Sequence, residues 1–512
     1  MKRKLTKILT LLCVSTMILS GCGGSDSASK GVDENHVFQV ILNAAPTGFS
    51  PLKTNDSTST SITAQIYETL YRRSYDDGSI IPGLAAALPT FSEDGLTATI
   101  KLREGVKFQD GTDFNSEAVK YVLEKIKDPN SGSLRPSIAS SITSIDCPDA
   151  TTIVLHLQYP DGVLTAKLAH TNAAIFSPTA DQKQDLMTQP VGTGPYKLSS
   201  YVSGSEVVLT RNDEYWGEKP DIKEAKFTVV AETSTALSRL ETGEADLMPT
   251  VPVTQISRAK QLNGVTFKSE ESAKTTYLAF RTSTAAHPEI MNDLEARKAI
   301  AMAIDSEGYL KTIEGNGSHS NSLVGPKLIG YDAKGEKDGY SYNVEEAKKI
   351  VQAKGLENKE IVLLCSNATA SKTLGEFIQA NLKSAGFNNV KLDAVEYSSY
   401  LSDSKVEGRY DICLFSWSNV TGDATEFLEP NFVTAKRVQW DSPELVRLVD
   451  EGKKTLDLSV RTEKIMEANK LLVDNVIATP IYNDNMCYAY SNKYEVKQDI
   501  GQQFYLADIA KK

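Results

Sequence analysis

The chain has 512 residues, of which 40% are hydrophobic, 24% charged and 8% aromatic, and its formal net charge is −11. That length exceeds what a single hydrophobic core supports, so a water-soluble protein of two or three domains is expected. An acidic surface argues against nucleic acid as the partner, although it does not bear on the sign of a buried pocket.

Residues 1–22 read as a targeting segment to be set apart from the fold. Lys2, Arg3, Lys4 and Lys7 form a basic head, and residues 8–19 are a mostly apolar run. The run is too short to cross roughly 30 Å of hydrocarbon comfortably. It closes on Leu19-Ser20-Gly21-Cys22. Residues 23–35 follow as a flexible Gly/Ser-rich tether. Of the six cysteines, Cys13 lies in the targeting segment, while Cys147, Cys365, Cys413 and Cys487 are scattered without CxxC spacing. Neither zinc nor a redox motif is indicated, and a disulfide among those four stays open.

In chain order, residues 36–42 alternate as a strand, and residues 57–72 place Ile62, Ile66, Tyr67, Leu70 and Tyr71 at helical spacing. A strand over 98–102 runs into Leu102-Arg103-Glu104-Gly105-Val106-Lys107-Phe108-Gln109-Asp110-Gly111, a strand, a turn, a short strand and an Asp-Gly turn. Asn115 or Ser116 caps a helix whose buried stripe is Val119, Val122, Leu123 and Ile126. Strands are expected over 153–157 and 173–176. At 190–220, the string PVGTGPYKLSSYVSGSEVVLTRNDEYWGEKP combines a rigid Gly-x-Gly-Pro turn, a hairpin of 196–202 with 206–210, and the aromatic plug Tyr215-Trp216-Gly217. A strand over 225–230, a helix over 234–240 and a strand over 276–281 come next. From about residue 285 helices and strands alternate. Helices are expected over 294–303, 344–354 (capped by Asn343, with Glu346 reaching back), 373–384 and two within 443–474. Strands are expected over 361–365, 390–395, 411–417, 478–482 and 485–490. Strands separated by helices of 10–15 residues imply βαβ units with a parallel sheet.

Three stretches carry a resemblance to a known family. GTGPY, a hairpin and then RN-x-x-YWG-x-KP (Arg211, Asn212, Tyr215, Trp216, Gly217, Lys219, Pro220) resemble the signature of the extracytoplasmic solute-binding proteins of ABC importers, the peptide/nickel-binding family. Residues 102–111 resemble that family's LR-x-GVKF-x-DG, and Tyr67-Glu68-Thr69-Leu70 its Y-E-x-L segment. The family's usual Asp is Ser50 here. Residues 19–22 resemble a bacterial lipobox, which implies acylation of Cys22; a plain secretory signal is the other reading.

The resemblance covers roughly residues 36–510. It implies an α/β periplasmic-binding-protein-like fold of type II, with two hinged lobes and an extra subdomain inserted in the first lobe. The first lobe would comprise 36–68, 195–272 and 486–510, the insertion 69–194 and the second lobe 273–485. It further implies a monomer held to the extracytoplasmic face of the cell membrane by the lipid on Cys22. The partners would be a small-molecule or peptide ligand and an ABC permease with its ATPase. Cofactors and metals are not called for. An enzyme is not expected: GxSxG, HExxH, P-loop and Rossmann fingerprints are all missing. A metal-chelate receptor of the same family, a sensory receptor and an extracytoplasmic hydrolase are the alternatives.

The ligand residues the resemblance implies centre on Trp417-Ser418-Asn419-Val420-Thr421-Gly422-Asp423. In peptide-binding relatives an Asp three residues after the Trp pairs with the peptide ammonium; here that position is Val420. Asp423 either takes over that role or is a turn residue, and Trp417 is either pocket wall or core. Asn419 belongs to the same segment. His319 could touch a metal chelate or lie solvated in its loop. Thr58, Ser59 and Thr60 could bind an anion or amide, or merely cap a helix. Tyr277 and Tyr482, beside the lobe crossings, could face the cleft or pack.

Overall fold

The computed structural model describes residues 36–332, 340–434, 437–438 and 440–512. The expected targeting segment, tether and acylated Cys22 lie outside these residues. Two long strands, Val265–Phe280 and Ala478–Ser491, form the spine. They pair antiparallel from Val265 with Ser491 to Ala279 with Ala478. A single sheet of eleven strands runs through them. On one side it continues through Leu247–Met248, Phe38–Leu42, Glu224–Val229 and the hairpin of Glu206–Arg211 with Tyr196–Val202; this is the first lobe. On the other it continues through Ile412–Ser418, Glu360–Ser366 and Asn389–Val395; this is the second lobe. The strands 478–482 and 485–490 expected separately are one uninterrupted strand crossing between lobes.

Burial on both faces explains the continuous apolar run Ile361–Cys365 within the strand Glu360–Ser366. Ile361, Leu363 and Cys365 pack into one core with Leu294–Ala303 and Thr369–Ser384, whereas Val362 and Leu364 join another with the helices Pro443–Lys453 and Leu458–Asp474. The period-2 alternation of a strand assigns successive side chains to opposite layers. The first lobe has its own core, where Ile41, Leu237, Leu240, Met248 and Ala489 meet. A separate four-stranded antiparallel sheet, ordered Thr90–Phe91, Thr97–Lys101, Thr152–Leu157, Ile142–Asp149, carries the helix Ser116–Lys127. Asn115 caps that helix by accepting from the Ala118 N–H, and Val119, Val122, Leu123 and Ile126 are its buried stripe.

Three local expectations are corrected. The helix read over 57–72 spans only Ser57–Ile66, after which Tyr67 is extended and Tyr71–Arg73 pairs with Ile80–Pro82 as a hairpin. Ile62, Ile66, Tyr67, Leu70 and Tyr71 are all buried, so their spacing reports burial without specifying a helix. The Ile66 carbonyl that would continue the helix is taken instead by Gly194 N–H at 2.9 Å and Gln109 Nε2 at 3.2 Å. Residues 173–176 form no strand, only an isolated bridge of Ile175 to Glu68. Asn343 does cap Val344–Ala353, but the Glu346 carboxylate pairs with Lys349 at 3.0 Å, and the Asn343 N–H donates to Met302 O.

The three signature stretches meet at one joint. Glu68 accepts from Thr193 Oγ1, Tyr215 OH and Trp216 Nε1, each at 2.8 Å. Gln109 donates to the carbonyls of Ile66, Gly194 and Tyr196, and its own N–H bonds Gly192 O at 2.9 Å. Arg103 lies over the Trp216 ring at 5.0 Å, a cation–π contact. Gly192 and Gly194 leave space where a Cβ would strike the Ile66 backbone. The signature is therefore a brace between the main sheet and the four-stranded sheet. Among the described residues no helix is long and apolar enough to cross a membrane.

Candidate functional site

A cavity of about 480 Å³ lies against the N-terminal turn of Ser57–Ile66 and the C-terminal end of Phe38–Leu42. Asp499, Gly501, Gln502, Gln503, Arg73, Arg135 and His170 add to this first-lobe wall, and Ser418 and Val420 approach from the second lobe. That size is typical of a small-molecule site.

The wall mixes polar and apolar surface, and its polar share comes from short hydroxyl side chains and backbone turns. Helix Ser57–Ile66 is capped by Asp56, whose carboxylate accepts from Ser59 N–H at 2.8 Å and Thr47 Oγ1 at 2.6 Å. The cap is thus Asp56 and not the side chain of Thr58, Ser59 or Thr60, although it takes up the Ser59 N–H. Thr58 and Thr60 line the cavity, whereas Ser59 is fully buried and its hydroxyl accepts from Thr47 N–H at 2.9 Å. Gln503 Nε2 reaches Thr60 Oγ1 at 3.3 Å. Asp499 accepts from Gly501 and Gln503 N–H groups at 2.8 and 3.0 Å, which folds a tight turn with Gln502 at φ +66°. A non-glycine residue in that left-handed region stores strain, a feature that clusters at functional sites.

Arg73 joins the lobes. Its Nε donates to Val420 O at 3.1 Å and its Nη1 to Gly78 O at 2.6 Å. Val420 belongs to a loop held by its own bonds: Asn419 N–H to Ala273 O at 2.8 Å, Asn419 Nδ2 to Asp423 O at 2.9 Å, and Ile329 N–H to Gly422 O at 2.9 Å. Asn419 is buried in this scaffold and Val420 faces the cavity. Asp423 does not line the cavity. It is 1% exposed, forms an ion pair with Arg461 at 3.1 Å, and accepts from the Thr425 N–H and hydroxyl.

The remaining sequence-singled residues lie elsewhere. Trp417 packs near Phe427 with Arg437 over its ring at 5.7 Å. Tyr277 is buried between Phe415 and Phe427, and Tyr482 packs on Tyr309, both in the second-lobe cores. His319 is exposed on the short strand Gly317–His319, paired with Tyr482 of the spine. Among the described residues no group of three His, Cys, Asp or Glu side chains could hold a metal ion, and Cys147, Cys365, Cys413 and Cys487 are free thiols.

Arg73, Arg135 and Asp499 are the charged side chains on the wall that sequence reasoning missed. Burial pushes the Arg73 and Arg135 pKa values down and the Asp499 pKa up. The only available hint was basic pairing in Tyr71-Arg72-Arg73, which has no motif character. His170 is pushed down to about 3, by burial first and then by Arg135 and Arg73. Its unfolded value lies near 6.5, so between about 6.5 and 3 the unfolded chain takes up a proton that the folded chain refuses. Stability is therefore expected to fall as pH drops through that window, by up to ~1.4 kcal/mol per pH unit from this group. Urea unfolding of wild type and His170→Asn at pH 7, 6, 5 and 4 checks this: the wild-type curve should fall more steeply, and parallel curves would contradict it.

Residues 79–438 match the family model described as bacterial extracellular solute-binding proteins, family 5 middle. The probable D,D-dipeptide-binding periplasmic protein DdpA of Escherichia coli K12 is 28% identical over 480 residues, covering 90% of each chain. Among solved structures, HbpA2 from Haemophilus parasuis superposes with a TM-score of 0.81 at 22% identity, covering 93% of this chain and 99% of the other. NikA from Brucella suis, in complex with Fe(III)-EDTA, gives a TM-score of 0.81 at 22% identity, covering 93% and 100%. The two-lobe architecture is common to them.

Proposed function

The chain belongs to family 5 of the bacterial extracellular solute-binding proteins, and from that premise we propose that it is the lipid-anchored receptor of an ABC importer. It captures a peptide-like or other small polar solute between its lobes, leaves it chemically unchanged and delivers it to the permease. The observation that carries this reading is the cavity of about 480 Å³ with first-lobe residues on most of its wall and Ser418 and Val420 from the second lobe. A solute touching both lobes stabilises their approach, and the shift it achieves is limited by its preference for the closed arrangement over the open one. The lobe limits proposed are 36–68, 195–272 and 486–510 for the first, 69–194 for its insertion and 273–485 for the second. Acylation at Cys22 would hold the receptor at the membrane. DdpA is named for D,D-dipeptides and NikA was solved with Fe(III)-EDTA, so peptide-like and chelate solutes are both represented among similar proteins. The exposed position of His319 outside the cavity gives the chelate reading no support from that residue.

Native mass spectrometry of the purified protein should reveal a co-purified small molecule. Adding that molecule at about 100 times its dissociation constant should raise stability by roughly 2.7 kcal/mol. Covalent turnover of the molecule during incubation, or no stabilisation by it, would sink the receptor reading.

A further inference from the structure

Resting on that reading and on the lobe limits given with it, we propose that Asp484 is a positioning residue for closure: it clamps a bulge at the lobe crossing, and through that bulge Ala273 holds both walls of the cavity. The two spine strands change register where the lobes meet. Glu271 faces Asn485 and Thr275 faces Asn483, so Ser272, Ala273 and Lys274 stand opposite the single residue Asp484. A second shift follows between Thr276 and Tyr277, with Ile481 as the extra residue of the facing strand. A bulge bends its strand and increases the local twist, so it sets the angle at which the paired strands leave the first lobe for the second.

Asp484 fastens the bulge from the facing strand. Its carboxylate accepts from Thr276 Oγ1 at 3.0 Å and pairs with Lys274 Nζ at 3.3 Å, and its carbonyl accepts from Ser272 Oγ at 2.9 Å. Ser272 and Thr276 are buried and the Asp484 side chain is 14% exposed, so water competes little for these bonds. Ala273, in the middle of the bulge and buried, directs its backbone groups away from the facing strand. Its N–H donates to Ile500 O at 3.0 Å, within the turn that carries Asp499, Gly501, Gln502 and Gln503 on the first-lobe wall. Its carbonyl accepts from Asn419 N–H at 2.8 Å, between Ser418 and Val420 of the second-lobe wall. One buried residue thus ties both walls, and its clamp lies outside the cavity lining. Without the carboxylate, Lys274 and Thr276 lose that acceptor and the bulge is free to unbend. The lobe angle then spreads over more arrangements, and Ala273 loosens its hold on Ile500 and Asn419 together. A solute that needs one arrangement binds in proportion to the share of molecules already in it.

The test is amide hydrogen exchange on the full chain without added solute, comparing wild type, Asp484→Asn and Asp484→Ala. Exchange reports local opening of the bonds that protect each N–H, and Asp484→Ala should speed it about tenfold at the Ala273 and Asn419 amides while leaving the four-stranded sheet unchanged. Asp484→Asn keeps an acceptor oxygen for Thr276 and loses the charge facing Lys274, so it should give a smaller rise at the same two amides. Small-angle scattering of Asp484→Ala should show a larger radius of gyration. Unchanged exchange at Asn419, or a rise spread evenly over the whole chain, overturns the clamp. A rise at the two amides with unchanged scattering overturns its part in closure. If Asp484→Ala does not fold, Asp484→Asn decides by the same amides and the same scattering. Solute binding enters none of these measurements, so failure of the clamp is told apart from failure of the receptor reading, which the co-purified solute decides.

Discussion

Glu68→Ala is expected to lower the free energy of unfolding by about 3 kcal/mol, the largest single-residue effect on stability that the brace implies. The carboxylate is the sole acceptor shared by Thr193, Tyr215 and Trp216, at 2.8 Å each. Removing it orphans three donors at once, and a buried unpaired donor costs about 1–3 kcal/mol. Thr193 is fully buried; Tyr215 and Trp216 are half-buried and recover part of their bonding from water. Burial raises the pKa of Glu68 despite those three bonds, so the charge itself is disfavoured there. Glu68→Gln, which keeps an acceptor oxygen without the charge, should accordingly restore more than half of the loss. Gly194→Ala attacks the same joint sterically. Its Cβ would stand 2.7 Å from the carbonyl carbon and oxygen of Ile66 and 2.8 Å from Gln65 O, and backbone atoms cannot step aside as a flexible side chain would. Urea midpoints measure all three. An Ala variant as stable as wild type would show that the signature residues do not brace the two sheets.

Gly162→Ala is expected to weaken solute binding at least tenfold by disturbing a contact between the lobes. Gly162 is where the four-stranded sheet's side of the first lobe touches the second lobe. Its N–H donates to Lys453 O at 3.2 Å, and its carbonyl accepts from Arg461 Nη1. Close by, Lys167 bridges Asp161 at 3.0 Å and Glu426 at 3.6 Å. A Cβ at 162 would collide with the Thr455 carbonyl oxygen and the Arg461 guanidinium. The collision opposes whichever arrangement keeps this contact, and a solute that prefers that arrangement loses affinity by the same amount. Arg461 in turn pairs with Asp423, which closes the loop that presents Val420 to the cavity. Small-angle scattering should give a larger radius of gyration for the variant, and titration with the co-purified solute should show the lost affinity. Unchanged scattering together with unchanged affinity would remove Gly162 from any part in closure.

The fold was legible where the chain's local chemistry and its burial agree. The helix Leu294–Ala303 and the cap at Asn115 follow from apolar periodicity and side-chain capping, which act within a few residues. The segment 57–72 reads as one helix because its periodic residues are all buried, and periodicity cannot separate a helix from a helix followed by a buried hairpin. The functional residues divide in the same way. Thr58 and Val420, reached through the resemblance, line the cavity, whereas Asp423 and Tyr277 are used for ion pairing and packing. Arg73 and Arg135 were invisible because an arginine in a sequence carries no mark of whether its guanidinium meets solvent, a carboxylate or an empty cavity.

By itself, the amino-acid order determined the family, the α/β class and the signature stretches around 67–70, 102–111 and 190–220, because each is a readable local string; that they meet as one brace was decided by the tertiary structure. Only the tertiary structure decided which side chains face the solute. The cavity is assembled from segments that include 41–44, 57–58, 60–61, 73, 135, 170, 418, 420, 499 and 501–503. Segments so far apart in the chain are brought together by strand pairing across the whole sheet, and the charge of such a wall is a property of that assembly, carried by none of its pieces alone.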